Sequence, residues 1–140
     1  MEVICKNLEQ TQAFAESFCQ SLAGGDVVVL SGDLGAGKTT FTKFVGKSMG
    51  IKEPITSPTY TLLNEYDGND LKLYHFDMYR IDDLDEVLET GVTEYFGKQN
   101  GVCIIEWAEN IKPLLPKKLT KITISKVDDT TRKFVVEKIF

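Results

Sequence analysis

The sequence predicts an α/β protein with a single domain over residues 1–140, in which a central, mostly parallel sheet is flanked by helices and extended by antiparallel hairpins. Two apolar runs, 27–30 and 102–105, are rich in β-branched residues, as is typical of strands that are covered on both faces. The glycine-rich segment 32–39 joins the first run to a stretch with helical spacing of apolar residues. Buried strands that alternate with helices favour a parallel sheet.

The first helix is predicted from its cap and its apolar face. Asn7 followed by Gln10 fits an N-cap with a capping-box partner. Apolar side chains then recur every four residues, at Phe14, Phe18 and Leu22, and the glycines at 24 and 25 end the helix. After the strand 27–30, a second helix begins at Lys38 and is closed by Gly50.

The remaining elements are short, and turn residues set their limits. The pattern predicts a hairpin of 60–66 and 71–76, an acidic helix 82–90 that ends at Gly91, a further helical turn 92–96, the buried strand 102–105 and a final hairpin of 121–125 and 133–139.

Composition excludes several classes of function. The chain has 140 residues, a net charge of −5 and a pI near 4.9, so stable binding to free nucleic acid is not expected. No apolar run approaches the roughly 18–20 residues of a membrane helix. The start of the chain, residues 1–7, lacks the features of a signal peptide. We therefore expect a cytoplasmic protein that does not enter membranes.

The cysteines and the single histidine give little sign of a metal site. Cys5, Cys19 and Cys103 are odd in number and far apart, which favours buried thiols in a reducing compartment. His75 has no neighbouring ligand residues, and the pattern favours a strand residue with a satisfied hydrogen bond over a catalyst.

The segment 32–39 carries the strongest chemical signal. Gly32, Gly37, Lys38 and Thr39 occupy the fixed positions of the phosphate-loop pattern GxxxxGK[ST], directly after a buried strand and before a helix. Glycines allow the backbone N–H groups to surround phosphate oxygens, and the helix N-terminus favours negative charge there. Lys38 is placed to reach the β- and γ-phosphates, and the Thr39 hydroxyl to bind Mg²⁺. The expected fold is therefore like that of P-loop NTPases.

Such a loop needs an acid to hold Mg²⁺ or its water, and two candidates remain. Glu106 ends the more apolar strand and is the better candidate for the metal. Asp77 ends a strand of alternating polarity, and it would share the metal's water shell or orient the attacking water. Which of the two binds the metal directly stays open.

The base is predicted by exclusion. GTPases read guanine with an NKxD segment, and Asn64, Asn69 and Asn100 all have the wrong neighbours for it, which favours ATP. Residues 6–9 and Arg132 are candidate neighbours of the adenine.

Four motifs together narrow the family. GDLGAGKTT, ITSPTYTL, YHFDMYR and IIEWAE occur in this order in one short chain. The combination resembles the TsaE (YjeE) family of small bacterial P-loop ATPases, from the first helix to Trp107. The resemblance implies a Mg²⁺-dependent ATPase that is weak when alone and works with TsaD and TsaB. That machinery adds the threonylcarbamoyl group to the adenosine beside the anticodon of tRNAs that read codons starting with A, so tRNA is met only through the complex.

The resemblance also implies site residues. It assigns Mg²⁺ to Thr39 and Glu106, an ATPase role to Asp77, a functional role to Trp107 and nucleotide sensing to the loop 56–59, which includes Thr59. It assigns the phosphates of ATP to eight consecutive residues: Asp33, Leu34, Gly35, Ala36, Gly37, Lys38, Thr39 and Thr40.

Several alternatives stay open. Trp107 is either a core residue or part of the site. Arg80 is either a surface ion-pair residue or a charge stabiliser, and the acidic run 82–89 is either a solvated face or a docking surface for a basic partner. The function has two rivals: a switch in which ATP occupancy controls partner docking and hydrolysis is incidental, and a small-molecule kinase.

Overall fold

The computed structural model of the protein describes residues 1–33, 35–58 and 62–139. Within these ranges it contains three α-helices, α1 Leu8–Gln20, α2 Lys38–Ser48 and α3 Leu84–Thr90. Seven strands are described: β1 Glu2–Cys5, β2 Val27–Ser31, β3 Leu63–Asp67, β4 Lys72–Asp77, β5 Gly101–Glu106, β6 Leu119–Lys126 and β7 Arg132–Ile139. Two segments, Val92–Tyr95 and Ala108–Leu114, form 3₁₀-helical turns.

The strands form one mixed sheet in the order β1-β7-β6-β2-β5-β4-β3. The four central strands, β6, β2, β5 and β4, are parallel to one another. The outer pairs β3/β4, β6/β7 and β1/β7 are antiparallel. The predicted α/β fold class is confirmed, and the carboxyl ends of β2, β4 and β5 meet at one edge of the sheet.

Most element boundaries agree with the sequence patterns to within about two residues, and two differ by more. The first helix was expected to run to the glycines at 24 and 25, and this is wrong. It ends at Gln20, where the backbone N–H groups of Ser21 and Leu22 bond to the carbonyl oxygens three residues earlier. Ser21 Oγ also donates to Phe18 O at 2.6 Å. The strand expected at 60–66 is present as Leu63–Asp67, and residues 60 and 61 lie outside the described residues.

A separate hydrophobic core covers each face of the sheet. On one face α1 and α2 pack over the central strands, and Phe41 is fully buried among the rings of Phe14, Phe18 and Phe134. On the other face α3 and the two 3₁₀ segments cover the alternate side chains of the same strands. This two-sided cover explains why the runs 27–30 and 102–105 are continuously apolar.

The buried thiols match the sequence expectation. Cys5 and Cys103 are buried, and in the part of the chain that the structure describes all three cysteines are free thiols. Burial raises the pKa of the Cys103 thiol to about 12. This thiol is therefore almost entirely protonated at neutral pH and unsuited to nucleophilic chemistry. Among the described helices, none is both long and apolar enough to cross a membrane.

The aromatic cluster yields a test of the fold. Phe41→Ala should lower the free energy of unfolding by about 3–5 kcal/mol, because a large buried ring is lost from a packed site. Urea unfolding followed by circular dichroism measures this change. Leu88→Ala is the control, since Leu88 is half exposed on α3 and its loss should cost less than about 1 kcal/mol. Equal losses in the two variants would contradict this account of the core.

Candidate functional site

The glycine-rich loop (residues 32–39) connects the end of β2 to the start of α2, at the sheet edge where the parallel strands end. Gly37 precedes α2 in the left-handed region at φ 109°, which glycine adopts at little cost. A Cβ at position 32 would lie 2.5 Å from the carbonyl oxygen of Ile124. The loop therefore requires glycine at both positions, for backbone angle at one and for close approach to β6 at the other.

Lys38 begins α2 and turns back over the loop. It is 94% buried, with a relative exposure of 6%. Its Nζ donates a hydrogen bond to Gly32 O at 2.7 Å and lies 3.8 Å from the centre of the Trp107 ring. The ammonium group is thus held in the curve of the loop by a carbonyl on one side and an aromatic face on the other.

Thr39 connects α2 to two other elements. Its Oγ1 lies 3.2 Å from Ser57 Oγ and 3.4 Å from Oε1 of Glu106, the last residue of β5. The Thr39 hydroxyl therefore links the first turn of α2 to Ser57, in the segment that follows α2, and to Glu106 at the end of β5.

Asp77 and Glu106 lie side by side because β4 and β5 run parallel with these two residues in register. Asp77 is half-buried, and its Oδ1 accepts the backbone N–H of Tyr79 at 2.9 Å. Both acids line one cavity of about 310 Å³ together with Lys38 and Thr39. The two acids between which the sequence could not choose thus share one site, and they differ in burial.

Glu106 is the more enclosed of the two, with an exposure of 3%. Its second oxygen, Oε2, lies 2.6 Å from Nε2 of His75, which is itself fully buried. Sequence reasoning left His75 out of the site. The alternation of strand residues puts 75 and 77 on one face of β4. It does not reveal that β4 lies beside β5 in the register that brings His75 to Glu106.

Trp107 belongs both to the core and to the site. Among the described residues it is the only non-glycine with a positive φ, at 59°, a conformation that costs about 1–2 kcal/mol in a left-handed turn. Its ring packs against the core on the α3 face, contacts Tyr79 at 4.9 Å between ring centres and lines the cavity beside Lys38. The two readings of Trp107 from the sequence are therefore compatible.

A second cavity, of about 630 Å³, lies on the other side of the glycine-rich loop. It is lined by Ala36, Gly37 and Thr40, by Asn7, Leu8, Glu9 and Thr11 at the start of α1, and by Asp129, Thr130, Arg132 and Phe134. Arg132 Nε donates to Ala36 O at 3.0 Å, which ties β7 to the loop. Residues 6–9 and Arg132 are the candidate neighbours of the adenine. Arg132 and three of the four residues 6–9 line this cavity next to the loop.

The other predicted residues have varied positions. Asp33 and Gly35 are exposed on the loop and line a third cavity, of about 590 Å³, with Trp107. Leu34 and Thr59 lie outside the described residues. Arg80 is exposed, outside the described cavities, and it has no ion pair with a described residue.

The donor atoms at the junction of Thr39 and Glu106 fit a magnesium ion. Among the described residues no group of three His, Cys, Asp or Glu side chains could hold a metal ion. Mg²⁺ does not need such a group, since it is commonly bound through one or two protein oxygens together with water and substrate phosphates. A hydroxyl and a carboxylate oxygen 3.4 Å apart are hard ligands of this kind.

Comparison with known proteins adds independent information. A family model described as "Threonylcarbamoyl adenosine biosynthesis protein TsaE" matches residues 5–134. The chain belongs to the TsaE family. It is 45% identical over 126 residues to the tRNA threonylcarbamoyladenosine biosynthesis protein TsaE of Bacillus subtilis, a match that covers 90% of this chain and 78% of the relative. The match to the protein of the same name in Treponema pallidum has 39% identity and covers 97% of this chain and 99% of the relative.

A solved structure shares the family fold. The crystal structure of YdiB from Bacillus subtilis aligns with a TM-score of 0.80 and 38% identity, covering 100% of this chain and 86% of that one. The resemblance to the TsaE family that the four motifs indicated is therefore confirmed, and the site geometry can be read as that of a family member.

The contact between β7 and the loop generates a prediction for this TsaE-family chain. Arg132→Ala should lower the free energy of unfolding by about 1–3 kcal/mol, because the half-buried guanidinium donates to a loop carbonyl. Lys133→Ala is the neighbouring control. Its ammonium group forms an exposed pair with Glu2 at 3.5 Å, which is worth less than about 1 kcal/mol. Thermal and urea unfolding measure both, and an equal effect of the two substitutions would contradict the structural role of Arg132.

Proposed function

We propose that the protein is a Mg²⁺-dependent ATPase that supports the addition of threonylcarbamoyl groups to tRNA. The observation that carries this proposal is the convergence of Lys38, Thr39, Asp77 and Glu106 on one cavity beside the glycine-rich loop. These residues come from three elements, α2, β4 and β5, so it is the fold that brings them together.

The loop would bind the triphosphate. Backbone N–H groups of residues 33–40 and the N-terminus of α2 would surround the phosphate oxygens, and Lys38 Nζ is placed at the inner side of the curve. Positive charge there stabilises the negative charge that develops as the γ-phosphate is transferred to water.

Thr39 Oγ1 and Glu106 Oε1 are the residues that would hold Mg²⁺, directly or through its water. When bound, this ion supplies charge neutralisation on the phosphates. Asp77 lines the same cavity and is more exposed than Glu106, so we assign it to the orientation of the attacking water.

The larger cavity beyond the loop is the candidate site for the nucleoside. It adjoins the loop through Ala36, Gly37 and Thr40, and its lining also includes residues 7–9 and Arg132, the expected neighbours of the adenine. The chain lacks the NKxD segment that reads guanine, which favours ATP.

The biological role is proposed from the family. Curated relatives at 39–45% identity bear the name tRNA threonylcarbamoyladenosine biosynthesis protein TsaE. We propose that this chain acts in the same process in the cytoplasm, with TsaD-like and TsaB-like partners that hold the tRNA. A net charge of −5 supports this division of labour, because an acidic chain has little affinity for RNA by itself.

Lys38→Ala should reduce ATP turnover at least about 100-fold. The reason is that the negative charge developing on the γ-phosphate loses the ammonium group that stabilises it. Phosphate release at saturating Mg-ATP measures this effect. Lys43→Ala on the same helix is the matched control, since its side chain is exposed and outside the cavity. Turnover in Lys38→Ala equal to that of the wild type would refute the assignment of the loop.

Purified TsaD-like and TsaB-like partners should stimulate ATP hydrolysis by the wild-type chain. The reason is that a weak isolated ATPase of this family is expected to reach its working geometry only in the complex. Phosphate release with and without the partners measures the effect. An unchanged rate, with complex formation verified by gel filtration, would contradict the proposed coupling.

Two rival functions give different results in related assays. If a Glu106 or Asp77 variant binds ATP, does not hydrolyse it and still supports tRNA modification, the protein is an occupancy switch. If labelled γ-phosphate appears on a small molecule instead of as free phosphate, the protein is a kinase.

A further inference from the structure

His75 is a buried polar residue to which the proposed function gives no part. It lies in the middle of β4 with no solvent exposure. Nε2 of its ring lies 2.6 Å from Glu106 Oε2, and Nδ1 has no hydrogen-bond partner in the ranges that the structure describes. A buried imidazole with one short contact to an acid of the site needs a physical explanation.

The register of the sheet determines which atoms His75 can reach. Asp77 is paired with Glu106 and His75 with Ile104, so His75 and Glu106 point to the same face of the sheet, one step apart along the strands. Of the other side chains on this face of the two strands, Asp77 is an acid, and Leu73, Val102 and Ile104 are apolar. Among the neighbouring strand side chains on that face, only His75 can therefore donate a hydrogen bond to the inner side of the Glu106 carboxylate.

The contacts assign the ring proton. A proton on Nε2 is donated to Oε2 of Glu106, whereas a proton on Nδ1 would be a buried donor without an acceptor among the described residues. Leaving such a donor unpaired costs about 1–3 kcal/mol. We therefore assign the tautomer with the proton on Nε2, which makes His75 a fixed donor to the carboxylate.

The two oxygens of Glu106 consequently have different surroundings. Oε2 contacts the His75 ring on the buried face of the sheet, and Oε1 lies 3.4 Å from Thr39 Oγ1 at the cavity. A carboxylate held at one oxygen cannot rotate about its terminal bond without breaking a short buried hydrogen bond. The second oxygen is thereby kept at the position where it faces the Thr39 hydroxyl.

We propose that His75 is a positioning residue that orients the Glu106 carboxylate for a divalent cation. The proposal rests on the proposed function, since it assumes that Glu106 and Thr39 hold a metal ion with the nucleotide. It predicts that His75 sets the affinity for the cation and has little effect on the affinity for the nucleotide itself. Partners of this kind change metal affinity by about 10–100-fold in other proteins.

Two amide substitutions separate orientation from general damage. His75→Gln places an amide N–H near the position of Nε2 and should keep the Mn²⁺ dissociation constant within about 3-fold of the wild type. His75→Asn carries the same group on a side chain one methylene shorter, which cannot reach Oε2. It should weaken Mn²⁺ binding by about 10–100-fold. Mn²⁺ is a suitable probe because it shares the preference of Mg²⁺ for oxygen ligands.

The measurement is the titration of Mn²⁺ into the full-length protein with a non-hydrolysable ATP analogue, followed by electron paramagnetic resonance. Affinity for a fluorescent ATP analogue is measured in parallel without metal. It should stay within about 3-fold of the wild type in both variants, because neither substituted side chain contacts the glycine-rich loop. Tyr74→Phe is the matched control. It removes a hydrogen bond to Asn100 from the adjacent residue of the same strand, on the opposite face, and should leave Mn²⁺ affinity unchanged.

Glu106→Gln tells the two levels of the proposal apart. Undiminished Mn²⁺ affinity in Glu106→Gln would refute the metal role of Glu106 and, with it, the positioning role of His75. If Glu106→Gln loses affinity but His75→Asn does not, the proposed function stands and the inference about His75 is wrong. Equal losses in the Asn and Gln variants, or a loss in Tyr74→Phe, would also overturn it, because the effect would then follow damage to the strand.

Discussion

The arrangement of the site depends on one buried carboxylate. Glu106 has an exposure of only 3%, and a carboxylate removed from water is costly unless hydrogen bonds replace its hydration. The two partners that satisfy it are His75 on β4 and Thr39 on α2. Because these partners belong to different elements, the requirement to satisfy Glu106 couples the end of the sheet to the first turn of α2. The position that would hold a cation is therefore determined by the same contacts that satisfy the buried Glu106 carboxylate.

The parallel centre of the sheet makes this coupling possible. Since β4, β5 and β2 run in one direction, their carboxyl ends bring Asp77, Glu106 and the glycine-rich loop to the same edge. The chain after β5 then turns sharply at Trp107, which has a positive φ, and the Trp107 ring packs against the Lys38 ammonium group. Asn110 donates to the carbonyl oxygen of Met78 at 2.9 Å and links that turn to the end of β4. The edge of the sheet is thus held by contacts between loops as well as by the strands.

The sequence predicts most of the fold, because the fold rests on strong local signals. The start of α2 at Lys38 and the end of α3 at Gly91 follow from a motif and from a glycine cap. The end of α1 does not, since the backbone N–H groups of Ser21 and Leu22 bond three residues back and close the helix before its glycines. Sequence also supplies Glu106 as a candidate, but the contact with His75 depends on the register between two strands that are far apart in the chain. No local pattern contains that register, so the partner becomes visible only in the structure.

A crystal structure with Mg²⁺ and a non-hydrolysable ATP analogue tests the central claim most directly. The account predicts that the phosphates lie in the curve of the glycine-rich loop and that Mg²⁺ binds Thr39 Oγ1 at about 2.1 Å. Glu106 Oε1 should bind the ion or one of its waters while Oε2 keeps its hydrogen bond to His75. A nucleotide bound away from the loop, or an ion more than about 5 Å from both Thr39 and Glu106, would contradict the account, since Mg²⁺ binds protein oxygens directly or through a single water.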